Sequence, residues 1–280
     1  MENKTAFAYC LNTSTIRECK LGVVEEIQLA AETGYAGIEL WAAEIDTYRK
    51  GGGKLPELKK QLEQANLKVP NIIAFFQWAN PDKAQRQKGL EEAKELIGVA
   101  QAIGCVYIAA PPAGITDRPE IPLADIAGYY SDLLGVFRGT GVKPLLEFWG
   151  HSQILGKLSE AMQVLQMVND PEAVLLADVF HMAKTPGSFE LLNELDGKRL
   201  GLFHVNDYPY ASDIKQLKDS ERVYPGDGVA PLGQIFDTLR KIGFSGMLSL
   251  ELFNKGYQER GAAHVVRTGL EKLKRALEAR

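Results

Sequence analysis

The chain has 280 residues, 45% hydrophobic and 24% charged, with 32 Lys+Arg against 36 Asp+Glu for a net charge of −4. That composition suits a folded globular protein and excludes disordered, collagen-like and disulfide-scaffold classes. A net acidic chain is a poor candidate for gripping a phosphate backbone, which needs clustered Lys and Arg. Three cysteines (Cys10, Cys19 and Cys105) are odd in number and show no CxxC spacing, so they read as free thiols in a reducing compartment. The opening MENKTAFAYC has no basic segment leading into an apolar stretch, and no run of 18 apolar residues follows anywhere. The expectation is a cytoplasmic protein without a membrane span.

In chain order, short apolar or β-branched runs alternate with longer helical patterns. Strands are expected over 5–11, 37–41, 69–76, 105–110, 143–148, 174–180, 200–206 and 247–253. Helices are expected over 22–33, 55–65, 82–103, 122–139, 157–168, 188–195, 231–242 and 257–279. Glycines at 34, 104 and 243 follow helix ends, where the chain must turn left-handed to close the last turn. The strands are nearly continuous apolar runs, as expected for a parallel sheet covered on both faces. Eight strand–helix cycles of about 35 residues each fill the chain and predict an α/β fold, a single (β/α)₈ TIM barrel over residues 1–280. The first strand–helix turn carries no GxGxxG, and Gly51-Gly52-Gly53 lacks the Lys-Ser/Thr of a phosphate loop.

In such a barrel the active site lies at the C-terminal ends of the strands. Four consecutive strands end on an ionisable residue inside an apolar run: Glu147, Asp178, His204 and Glu251. A carboxylate among leucines is costly unless it is paired or binds a cation. Three carboxylates and an imidazole converging on one point form a ligand set for Mn²⁺, Mg²⁺, Co²⁺ or Zn²⁺. His181 lies three residues past Asp178, placed to hydrogen-bond a substrate hydroxyl or the metal's surroundings. The segment from Tyr208 to Ala230 is long for a strand–helix loop and contains Arg222 followed by Pro225-Gly226-Asp227-Gly228. Arg222 is expected to reach a ligand oxygen, and the Pro-Gly and Asp-Gly pairs set the turn. Asp227 reads equally as turn chemistry or as a functional group. Asp207 is either an orienting group behind the ligands, part of a second metal site, or a loop carboxylate. Among the aromatics near these strand ends (Trp41, Phe75, Phe76, Trp78, Trp149, Phe253), Trp41 and Trp149 are candidates for a wall against a sugar face. Glu39 lies within GIELW, where it can face the lumen. His264 reads as structural, and His151 is left open.

This pattern resembles the xylose isomerase-like TIM-barrel superfamily, whose members include ketose 3-epimerases, hydroxypyruvate isomerase, inosose dehydratases and endonuclease IV. The resemblance implies that Glu147, Asp178, His204 and Glu251 bind one divalent metal, manganese among the candidates, and that His181 and Arg222 bind substrate oxygens. It also implies that Glu147 and Glu251 are the acid/base pair of a sugar or hydroxy-ketone isomerase or epimerase in carbohydrate metabolism. A metal bridging carbonyl and hydroxyl oxygens would stabilise the enediolate left when a C–H proton departs. The 3-epimerases carry a further Glu about six residues after the strand-five Glu. Here Gln153 or His151 stands in that place, which leaves isomerase and dehydratase open. The nuclease needs extra histidines on the early strands, but strands two and three end in Trp41 and Phe75-Phe76, and there are four histidines in all. The expected partner is a small sugar or polyol rather than nucleic acid or membrane, and barrels of this group often form dimers or tetramers.

Overall fold

The computed structural model describes residues 7–279. Eight parallel strands pair in sequence order and close on themselves: β1 (Ala8–Asn12), β2 (Gly37–Trp41), β3 (Asn71–Ile73), β4 (Tyr107–Ala110), β5 (Lys143–Glu147), β6 (Val174–Asp178), β7 (Leu200–Val205) and β8 (Met247–Leu250). The (β/α)₈ barrel expected from the alternation is therefore the fold. Residues 5 and 6 of the first expected strand lie outside the described residues. Among the described residues, no helix is long and apolar enough to cross a membrane.

The strands are buried on both faces, and packing separates the two faces residue by residue. Ile38, Leu40, Leu146, Leu175, Ala177, Phe203, Val205, Leu248 and Leu250 belong to the large core between sheet and helices. The alternate positions Leu145, Val174, Leu176 and Leu202 pack with Tyr107 and Met247 in a separate cluster inside the barrel. This is the period-two alternation of a strand whose two sides both meet apolar partners. Carried one step further along β5 to β8, the inward parity reaches Glu147, Asp178, His204 and Ser249 with Glu251.

Six helices follow the expected positions: α1 (Val23–Thr33), α3 (Leu55–Gln64), α4 (Lys83–Ile103), α5 (Leu123–Phe137), α6 (Leu158–Val168) and α9 (Leu232–Lys241). The glycine stops hold: Gly34 and Gly104 cap α1 and α4 at φ 98° and 78°. Several boundaries differ, each for a local reason. α2 (Ala42–Lys50) lies where the sequence pattern assigned no element; Glu44 starts it by reaching back to the Trp41 backbone N–H at 3.0 Å. The strand expected over 174–180 stops at Asp178, whose side chain accepts the His181 N–H at 2.9 Å and begins the short α7 (Val179–Ala183). The expected helix 188–195 is a short α8 (Ser188–Leu191) followed by a 3₁₀ turn. The last expected helix divides into α10 (Lys255–Gln258) and α11 (Ala262–Glu278) at Gly261. Strand three is short, so Phe75 lies beyond it and is exposed, while Phe76 and Trp78 turn into the outer core.

Candidate metal centre

Sheet register brings the ionisable residues together. Asp178 is level with His204 across β6 and β7, and His204 is level with Ser249 across β7 and β8. Glu251 is one residue beyond β8, yet its N–H still bonds the Val205 carbonyl at 3.2 Å. Asp178, His204 and Glu251 each offer one ligand atom, and these atoms all lie within 4.8 Å of one another, buried. Glu147 is outside this tight group. It ends β5, is buried, and accepts a hydrogen bond from Trp149 Nε1 at 3.0 Å.

The donor chemistry fits a divalent cation. His204 Nδ1 is buried without a hydrogen-bond partner, and it lies 3.1 Å from Glu251 Oε2 and 3.7 Å from Asp178 Oδ2. The opposite nitrogen, Nε2, lies 2.9 Å from Glu39 Oε1. An imidazole nitrogen and two carboxylate oxygens suit Zn²⁺, Mn²⁺ or Co²⁺.

Arg222 is 1% exposed and donates through Nη1 to Asp178 Oδ2 at 2.9 Å and Glu251 Oε2 at 2.6 Å. Its Nη2 bonds Asp219 Oδ1 at 2.5 Å and lies 3.4 Å from His181 Nε2. The guanidinium lies over the Phe180 and Phe253 rings, 4.8 and 5.1 Å from their centroids. Its carboxylate partners in the structure are thus Asp178 and Glu251 of the cluster and Asp219 beside it.

These charges set the protonation of the site. Burial pushes the Asp178 carboxyl up, but Arg222, His181 and His204 outweigh burial and hold it at about 2. Burial favours neutral His204, yet Glu251 and Glu39 overcome it and raise its pKa well above the ordinary value. His181 is pushed down to about 4, chiefly by burial and despite Asp178. Glu147 is pushed up to about 8 by burial, with His204 opposing and Glu251 reinforcing.

Glu147, Glu251, His181, Arg222, His151 and Asp219 form the polar lining of a cavity of about 300 Å³ at this end of the barrel. Trp41, Phe75, Trp149 and Phe253 supply its aromatic wall, with Trp41 and Phe75 rings 5.2 Å apart and Phe75 and Trp149 5.8 Å apart. All eight expected site residues therefore lie in the Asp178–His204–Glu251 group or around this cavity. His151, left open by the sequence, lines the cavity and stacks on Trp149 at 5.5 Å. Gln153 is exposed and does not line it.

The residues left open find their places. Asp207 is a loop carboxylate, one of the three readings the sequence allowed: it accepts the backbone N–H groups of Tyr208, Gly226, Gly228 and Ala230 at 2.8–3.0 Å and staples the long loop. Asp227 pairs with Lys272 on the outside. His264 is exposed on α11. Sequence reasoning missed Asn12, Asn71, Ser249, Asn206 and Asp219. Asn206 Nδ2 supports Asp178 Oδ2 at 3.0 Å, and Asn12 Nδ2 supports Glu251 Oε1 at 2.9 Å. Asn12, Asn71, Ser249 and Asn206 share one feature, a neutral polar residue on a strand or just past its end, whereas Asp219 is one acid among several in the long loop.

Known proteins agree with this architecture. An inosose isomerase from Bacillus licheniformis is 28% identical over 279 residues, spanning 94% of this chain and 95% of that protein. A 3-dehydroshikimate dehydratase from Pseudomonas putida is 20% identical across 89% of this chain and 39% of its own length. A crystal structure of the IOLI protein with a bound zinc atom superposes with a TM-score of 0.89 at 25% identity, covering 97% of this chain and 98% of that one. The family model for the xylose isomerase-like TIM barrel matches residues 27–276, and the chain belongs to that family.

Proposed function

We propose that the protein is a divalent-metal-dependent isomerase of a small cyclic or open-chain hydroxy-ketone, with inososes as the first substrates to test. One observation carries this reading: a buried Asp178–His204–Glu251 donor set opens onto a cavity that also holds the buried, separately placed Glu147. The inosose isomerase relatives and the zinc in the IOLI protein support it.

Asp178, His204 and Glu251 would hold the ion, with Glu147 facing it across the cavity. Bound there, the ion supplies positive charge where a substrate carbonyl becomes negative. Glu147 removes the proton from the carbon beside the carbonyl. A carboxyl held near 8 by burial is poised to take and return a proton close to neutral pH. Glu251, on the other side of the cluster, is the partner that completes the transfer. His181, kept neutral by its burial, and Arg222 orient hydroxyls. Trp41, Trp149 and Phe75 cover the C–H face of the ring and exclude water.

The dehydratase relative supports a second outcome from the same first step, in which a hydroxyl leaves after proton removal. Proton NMR of inososes incubated with the manganese-loaded protein separates the outcomes. The reading predicts a new isomer of unchanged mass, lost on chelation and restored by manganese. A product lighter by one water assigns the dehydratase. An unchanged spectrum across inososes and ketoses refutes both.

A further inference from the structure

We propose that Glu39 is a positioning residue that locks His204 with Nε2 protonated and Nδ1 turned to the metal ion. The inference rests on the metal reading above and adds a determinant that the ligand set does not contain.

Glu39 is 0% exposed, inside the barrel and below the cluster. A bare carboxylate there would be too costly to keep, so its partners are informative. Asn71 Nδ2 donates to Oε2 at 2.8 Å, Asn12 Nδ2 approaches Oε1 at 3.4 Å, and the Ser249 hydroxyl donates to Oε1. His204 Nε2 lies 2.9 Å from Oε1 and 3.2 Å from Oε2. Four strands, β1, β3, β7 and β8, thus each turn a group toward one carboxylate on β2. Every group that meets Glu39 can donate a hydrogen. The two oxygens are acceptors only, and they require the hydrogen of His204 on Nε2.

An imidazole that ligates a metal is neutral, with one N–H and one lone pair. With the N–H committed to Glu39, the lone pair falls on Nδ1. That is the buried, unpartnered nitrogen facing Glu251 and Asp178. A carboxylate behind a ligating histidine fixes its tautomer and ring orientation and strengthens it as a donor. Asn12 extends the support, because the same Nδ2 that approaches Glu39 donates to Glu251 at 2.9 Å. Glu39 and Asn12 are register partners on β2 and β1, so one rung of the sheet steadies two ligands.

Glu39→Gln keeps the volume and one acceptor oxygen but offers an amide hydrogen to Nε2, favouring the opposite tautomer. The readout is Zn²⁺ binding by calorimetry, together with ¹⁵N NMR of the histidine ring nitrogens, His204 being assigned by substituting the other three in turn. The zinc-loaded wild type should show Nε2 protonated and Nδ1 bound to zinc. Glu39→Gln should bind zinc about 10–100-fold more weakly, with its melting temperature recorded alongside. The NMR measurement on the wild type decides the matter even if the variant does not fold. Equal zinc affinity in both proteins, or zinc on Nε2 in the wild type, overturns the role of Glu39 alone. No zinc binding by the wild type overturns the metal reading and this inference with it.

Discussion

Two buried glutamates, Glu147 and Glu26, are both held near 8 by burial, and their surroundings give them different meanings. Glu147 faces the cavity with Glu251. Glu26 is 2% exposed on α1 beside Glu44, which raises it further while Arg17 opposes, and its Oε2 has no hydrogen-bond partner. Its carboxyl keeps a proton in the folded state between about 4.5 and 8, where the unfolded chain has released it. Stability therefore falls as pH rises through that window. Glu26→Gln should be as stable as the wild type below pH 4.5 and more stable above pH 8, by about 1–3 kcal/mol. Urea unfolding at pH 5 and pH 9 checks this, and an equal gap at both would contradict it. At this scale the sequence was readable where a charge interrupts an apolar strand, as at Glu147, Asp178, His204 and Glu251. It was unreadable for Asn12, Asn71 and Ser249, because a neutral amide or hydroxyl in a strand leaves no such trace. Their partners are also far away in the chain: Ser249 meets Glu39, 210 residues earlier.

Among the elements, the segment after β7 brings Asp219 and Arg222 to the cavity. Asp207 pairs its backbone with Val223, at 3.0 and 2.8 Å, and gathers four N–H groups on its side chain. Arg222 is thereby delivered, one residue before the pairing, to Asp178 and Glu251. Gly228 is part of the same staple, since a Cβ there would come 2.2 Å from the Tyr208 carbonyl oxygen and 2.4 Å from Asp207 Oδ1. Asp207→Ala leaves four donors short of an acceptor and should cost about 2–4 kcal/mol of stability. Because Asp178 and His204 are on strands and Glu251 directly follows one, zinc affinity should change little while turnover drops about tenfold or more as Arg222 loosens. Thermal melting, zinc calorimetry and a rate assay on the one variant separate these effects, and parallel loss of zinc would contradict them. The barrel was legible at this scale, because eight apolar runs with glycine stops repeat a single period. The starts of α2 and α7 were not, because each hangs on one side-chain cap, Glu44 or Asp178, that composition does not reveal.

Across the whole molecule, the barrel closes a ring of strands whose inner layers change from apolar to charged toward one end. Leu145, Leu176 and Leu202 fill the interior, and Glu39, Asp178, His204 and Glu251 lie beyond them. A cation bridging groups from β6, β7 and the end of β8 should therefore tie distant parts of the chain together. Zinc at about 100 times its dissociation constant should add about 2.7 kcal/mol of stability. A thermal melt with and without zinc checks this, and His204→Gln should abolish the shift. The central claim is proton transfer at this cluster, and solvent deuterium tests it most directly. The manganese-loaded protein, incubated with inososes in D₂O, should place deuterium on the carbon beside the carbonyl. Glu147→Gln should slow that uptake by about 10²–10⁴-fold with the metal still bound. Absence of deuterium uptake by a metal-loaded wild type, or uptake at the same rate in Glu147→Gln, would contradict the account.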